Sequence, residues 1–151
     1  MENQTKPKAL PVQFQNIPLS LRTIPRWLLW NYVEIGEEDN KRWSKLPVQA
    51  SGKAASSTNP NTWTNFHDVE AAYLTGRFDG IGFVFTADDN IVGIDLDDCY
   101  DEETAQFTND ELGSIAKRVN GYMEVSPSGT GVKIFTRASF KFAHVDHAIG
   151  L

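Results

Sequence analysis

Cysteine is nearly absent from this chain. Cys99 stands alone among 151 residues, so no internal disulfide can form, and a reducing compartment is expected. Histidine is scarce as well. His67, His144 and His147 do not combine with one cysteine into a zinc pattern, and all three are read as surface residues. No apolar run approaches the roughly 20 residues of a membrane helix. The N-terminus MENQTKPKALP has no apolar core of a secretory signal. No membrane partner and a cytoplasmic location are therefore expected. Internal repeats and low-complexity tracts are missing too. Positive charge is in deficit, with a formal net charge of −6. That sign argues against tight, unassisted binding to nucleic acid, whose phosphates dominate affinity. It does not exclude a local basic patch, and Arg22, Arg26, Lys41, Arg42, Lys45 and Lys53 cluster within residues 20–55.

What is present reads as one domain with a sizeable core. Residues 1–15, with Pro7 and Pro11 and no periodicity, are expected to be a flexible tail, and residues 16–151 a single domain. Residues 16–22 read as a helical turn entered through Pro18. Residues 26–35 and 42–48 make a hairpin around the polar turn 36–40. A helix over 65–74 is capped by Asn65 and ended by Gly76. Residues 80–85 and the strand beginning at Ile91 form the strongest hairpin signal, and 101–109 reads as loop. A helix over 110–119 precedes strands 122–125 and 132–136. Strands interleaved with two helices predict an α+β fold, an α/β sandwich with a largely antiparallel sheet. Trp27 and Trp30, three apart in a strand, point to opposite faces, and core packing is the expectation for both over base stacking.

Two motifs carry chemistry. In NIVGIDLDDC (90–99), Asp95 and Asp97 are two apart on a strand. Such residues share a face, about 6.5–7 Å apart. Paired carboxylates suit a divalent cation, whereas a solvated acidic turn is the bland reading. In SPSGTG (126–131), glycines and hydroxyls sit in a tight turn that can cradle phosphate, and Lys133 follows on the next strand. The pattern lacks the following helix of a dinucleotide fold and the Gly-Lys-Ser/Thr ending of a P-loop. Together the motifs outline a metal–triphosphate site suited to nucleotidyl transfer.

Several pieces, in order, carry a resemblance: Asn16-Ile-Pro18, Arg26–Trp30, Lys45-Leu-Pro47, Ala55–Trp63, Asp79–Phe85, Ile91–Asp97 and Glu124–Gly131. Over roughly residues 16–137 the chain resembles the N-terminal primase-polymerase domain of phage and plasmid replication proteins, in the archaeo-eukaryotic primase superfamily. The resemblance implies an RNA-recognition-motif-like sheet packed with helices, beside a small N-terminal α/β unit. It implies template-directed synthesis from nucleoside triphosphates on single-stranded DNA, with Mg²⁺ or Mn²⁺, next to a fused or separate replicative helicase. Asp95 and Asp97 would be the catalytic metal ligands. Ser126, Ser128 and Gly129 would lie along the phosphates, and Lys133 and Lys45 near the nucleotide. Two departures stand out. Lys133 replaces the family's phosphate-contacting histidine. The expected third acidic residue of a later strand is not evident, since Asp146 is a poor equivalent and Ala148–Leu151 reads as a strand cut short. The expectation is a catalytic module, truncated at its C-terminus. The alternatives are a non-catalytic nucleotide- or DNA-binding relative and a metal-dependent nuclease.

Overall fold

The computed structural model describes residues 5–37, 40–88 and 90–138, and the backbone of 149–150. His144, Asp146 and His147 lie outside the described residues. Antiparallel strands and short helices make an α+β fold, as expected. A short helix α1 (Leu19–Arg22) leads into β1 (Trp27–Ile35) and β2 (Arg42–Val48). Helix α2 (Phe66–Tyr73) precedes β3 (Gly80–Val84) and β4 (Ile91–Leu96). A small hairpin, β5 (Tyr100–Asp101) and β6 (Gln106–Phe107), is followed by α3 (Asp110–Arg118), β7 (Tyr122–Val125), β8 (Val132–Arg137) and β9 (Ile149–Gly150).

Local chemistry sets the helix starts. The Asn65 side chain accepts from the Asp68 N–H at 2.9 Å, and the Asn109 side chain accepts from the Leu112 N–H at 3.0 Å. Each satisfies a backbone donor that the first helical turn leaves open.

The strands divide into a four-stranded sheet, β2-β1-β3-β9, and a three-stranded sheet, β4-β8-β7, with β5-β6 apart. This corrects the strongest hairpin expectation. β3 and β4 are consecutive in sequence but do not pair with each other; β3 lies between β1 and β9, and β4 pairs β8. Side-chain volume gives the reason. A Cβ placed on Gly93 of β4 would meet the Phe85 ring at 2.6 Å. The chain just past β3 thus packs a ring onto β4 instead of continuing a ladder beside it. The loop expected over 101–109 is likewise replaced in part by the β5-β6 hairpin, turning at Ala105 with φ 55°.

Aromatic rings join the layers. Trp27 packs on Phe66 of α2 at 5.0 Å and on Phe83 at 5.2 Å, Phe83 meets Phe85 at 5.6 Å, and Phe85 meets Phe135 of β8 at 5.4 Å. Trp27 and Trp30 are both core residues, as their size led one to expect. The segment expected to be a flexible tail is placed against the body from Lys6 onward, the Lys6 Nζ lying 2.7 Å from Asp79 Oδ2. The Leu10 N–H donates to the Pro127 carbonyl at 3.0 Å, and the Phe14 ring meets Tyr73 at 5.5 Å. Val12 and Phe14 give this proline-bearing stretch enough apolar surface to dock.

Candidate functional site

The three-stranded sheet places charge in a row. Asp95 of β4 lies directly opposite Lys133 of β8, and Lys133 lies directly opposite Glu124 of β7. Directly opposed side chains share one face of a sheet. The Lys133 Nζ donates to Asp95 Oδ2 at 2.6 Å. The lysine side chain is 11% exposed and the aspartate 52%, so the lysine stem is packed against the sheet and its ammonium meets a half-exposed carboxylate.

Asp97 lies just past the end of β4 and is exposed. Asp98 then adopts φ 48°, a left-handed conformation that aspartate tolerates better than most residues. This turn stitches the acidic segment to the second motif. The Thr130 carbonyl accepts from the Cys99 N–H at 2.9 Å and the Tyr100 N–H at 3.0 Å. Gly131 sits so close that a Cβ there would meet the Leu96 carbonyl oxygen at 2.6 Å and the Asp97 Cα at 3.4 Å. The two motifs read separately from sequence are therefore neighbours. Cys99 itself is buried and its Sγ–H donates to the Leu96 carbonyl. Burial pushes its thiol upward, which fits a packed residue rather than a nucleophile.

The Ser126–Gly131 turn is partly occupied with itself. The N–H groups of Ser126 and Gly129 donate to carbonyls within the turn at 2.9 Å, and that of Gly131 donates to the buried Ser126 Oγ at 3.1 Å. An anion nest built from those three amides is thus ruled out in this conformation. The hydroxyls form a chain, Ser126 to Ser128 and Ser128 to Thr130, each at 3.0 Å, with Ser128 and Thr130 exposed. Gly129, at φ 80°, supplies the left-handed residue that closes the turn.

Lys45 reaches this site from the other sheet. It lies on β2, with its ammonium 5.1 Å from the Trp30 ring centre. Its pKa is lowered by burial first and by the like charge of Lys133 next, against the pull of Asp95 and Asp97. All four groups are therefore within electrostatic reach of one another.

Glu124 heads the Glu124–Gly131 piece, two residues before Ser126, but its sequence context assigned it no role. Burial holds its carboxyl above the usual carboxylate range, despite a hydrogen bond from the Tyr122 hydroxyl at 2.8 Å and the nearby charge of Lys133. The sequence signal was a lone acid in an otherwise apolar strand opposite a lysine. It also lines a cavity of about 380 Å³ between the sheets, with Trp30, Asp79 and Tyr122, covered by residues of the 10–17 segment.

Asp95 and Asp97 offer hard oxygen donors. Mg²⁺ is commonly held by one or two carboxylates together with substrate phosphates. The pair fits a cation of that kind arriving with a triphosphate. Among the described residues no group of three or more His, Cys, Asp or Glu is arranged to cage an ion unaided. Also among these residues, no helix is long and apolar enough to cross a membrane.

No family model matches the chain. Over 116 residues it is 31% identical to a protein of Nitratiruptor phage NrS-1 named DNA primase-polymerase, a match covering 76% of this chain and 15% of that protein. The chain thus corresponds to a small part of its relative's length. The resemblance read from the motifs is borne out by this match.

Proposed function

Taking as premise that the chain is a relative of phage primase-polymerases, we propose that it is a nucleotidyl-transfer module acting on nucleoside triphosphates along a single-stranded DNA template. The observation that carries this reading is the convergence of Asp95, Asp97, Lys133 and Lys45 beside the Ser126–Gly131 turn. Asp95 and Asp97 hold Mg²⁺ or Mn²⁺ with the triphosphate. The cation supplies Lewis-acid charge that offsets negative charge building on the transferred phosphoryl group. Lys45 and Lys133 act as point charges toward the phosphates, and the Ser128 and Thr130 hydroxyls border them. A primer 3′-oxygen bonds to the α-phosphorus, the bond from that phosphorus to pyrophosphate breaks, and the hydroxyl proton leaves to solvent. Lys133 in place of a histidine offers the phosphates a point charge on a flexible stem rather than a ring N–H. A replicative helicase, fused or separate, is the partner this role calls for.

The ammonium resting on Asp95 favours a second reading, a relative that binds nucleotide without transferring it. Extension of a primed single-stranded template with Mn²⁺ and deoxynucleotides separates the two. Extension that disappears in Asp95→Asn and Asp97→Asn supports the first. Nucleotide binding with no extension, even in a version lengthened past Leu151, supports the second. Degradation of DNA in the absence of nucleotides would indicate a nuclease and overturn both.

A further inference from the structure

The row Asp95–Lys133–Glu124 holds one cation between two carboxylates on neighbouring strands. Only one of them, Asp95, bonds to it directly, and Asp95 is also wanted by the metal of the reading above, on which this inference rests. We propose that Glu124 is a positioning residue: it is the second seat of the Lys133 ammonium, taken up when a divalent cation with its triphosphate claims Asp95.

Three observations converge on this exchange. First, the Lys133 side chain is only 11% exposed, so its stem is held against the sheet and an ammonium displaced from Asp95 stays close to its cross-strand neighbours. A buried charge without a partner is costly, and the cross-strand neighbour on the same face is Glu124. Second, Glu124 already feels the Lys133 charge, and it is anchored by the Tyr122 hydroxyl on Oε2. A carboxylate offers about four acceptor sites, so one bond from Tyr122 leaves room for an ammonium. Third, Glu124 lines the 380 Å³ cavity between the sheets, so its carboxyl is not packed tight on every side and can adjust to receive the ammonium. In the resting state Lys133 serves as a built-in counterion that keeps Asp95 paired. In the loaded state the same charge, now held by Glu124, remains beside the phosphates.

Mn²⁺ titration by calorimetry or electron spin resonance tests the exchange on the wild-type chain, Lys133→Met, Glu124→Gln and the double variant, each first shown folded by thermal unfolding. Lys133→Met, lacking the competitor, is expected to bind Mn²⁺ about two- to fivefold more tightly, the scale of a partly exposed ion pair. Glu124→Gln alone is expected to bind several-fold more weakly, and to change nothing once Lys133 is Met. Lys133→Met binding no tighter than wild type overturns the proposal. So does an equal loss from Glu124→Gln in both backgrounds, which would make Glu124 a direct ligand or a purely structural residue. If no form binds Mn²⁺, the metal site falls and the exchange with it; if wild type binds without this coupling, only the exchange falls. Should a variant fail to fold, a crystal structure of the wild-type chain with Mn²⁺ and nucleotide decides. Lys133 Nζ at hydrogen-bond distance from Glu124 supports the exchange, and Nζ still on Asp95 overturns it.

Discussion

The two sheets divide the work. In the four-stranded sheet, Leu28, Leu29, Trp30, Phe83 and Val84 are almost wholly removed from water. In the three-stranded sheet one face carries Asp95, Lys133 and Glu124 instead. Burial of apolar area stabilises the first sheet; the second also buries Val132 and Ile134, but on the face turned toward the first sheet it keeps a row of ionisable groups beside Phe135. The lesson is that rigidity and chemistry come from different layers. The site forms where they meet, with Lys45 reaching over from β2 toward charges on β4 and β8.

Substitutions in each sheet can break this contrast. The largest effect is expected from Leu29→Ala, since Leu29 is 0% exposed and paired on both sides. The loss should be about 2–5 kcal/mol in urea unfolding. A loss under 1 kcal/mol would mean the four-stranded sheet is not the stabilising layer. Next comes Gly131→Ala, where the new methyl meets the Leu96 carbonyl, a backbone atom that cannot swing aside. About 1–3 kcal/mol is expected, with a matching loss of Mn²⁺ affinity as Asp97 is displaced. Unchanged stability and affinity would show the two motifs are not in contact.

Asp95→Asn probes the opposite side of the contrast. With its side chain half exposed, its ion pair should contribute no more than about 1 kcal/mol. Stability should barely move while Mn²⁺ affinity falls at least tenfold. A large stability loss with intact affinity would reverse the roles assigned to the sheets. The smallest effect concerns pH. Glu124 is raised above its ordinary 4.5 by burial, so the folded chain binds this proton more tightly than the unfolded chain. Its contribution is fully present below the unfolded value and declines as pH rises through the folded one. Glu124→Gln should therefore lose less stability than wild type on going from acid toward neutrality. Parallel urea midpoints against pH for the two forms would show that Glu124 is not desolvated.

Much of this was readable from residues in order. Asn65 caps its helix because its side chain reaches a local amide, and β1 pairs β2 because a short polar turn joins them. The docking of Phe14 is not legible locally because it depends on Tyr73 and Phe66, about 50 to 60 residues away. The β3-β4 hairpin was misjudged because turn chemistry resembles a hairpin whether or not the strands pair. What settled it was a ring over Gly93, a fit between distant volumes. The acid pair and the serine–glycine turn were both found, but the internal bonding of the turn amides and the place of Glu124 were not.

By itself the amino-acid order determined which groups carry charge, where helices begin, and that Asp95 and Asp97 stand two apart. Tertiary structure alone decided that Lys133 rests on Asp95 with Glu124 on its other side, and that Lys45 joins them from another sheet. The physical reason is range. Caps and turns are settled by bonds between near neighbours, whereas ion pairing depends on strand register, and register is set by packing across the whole core.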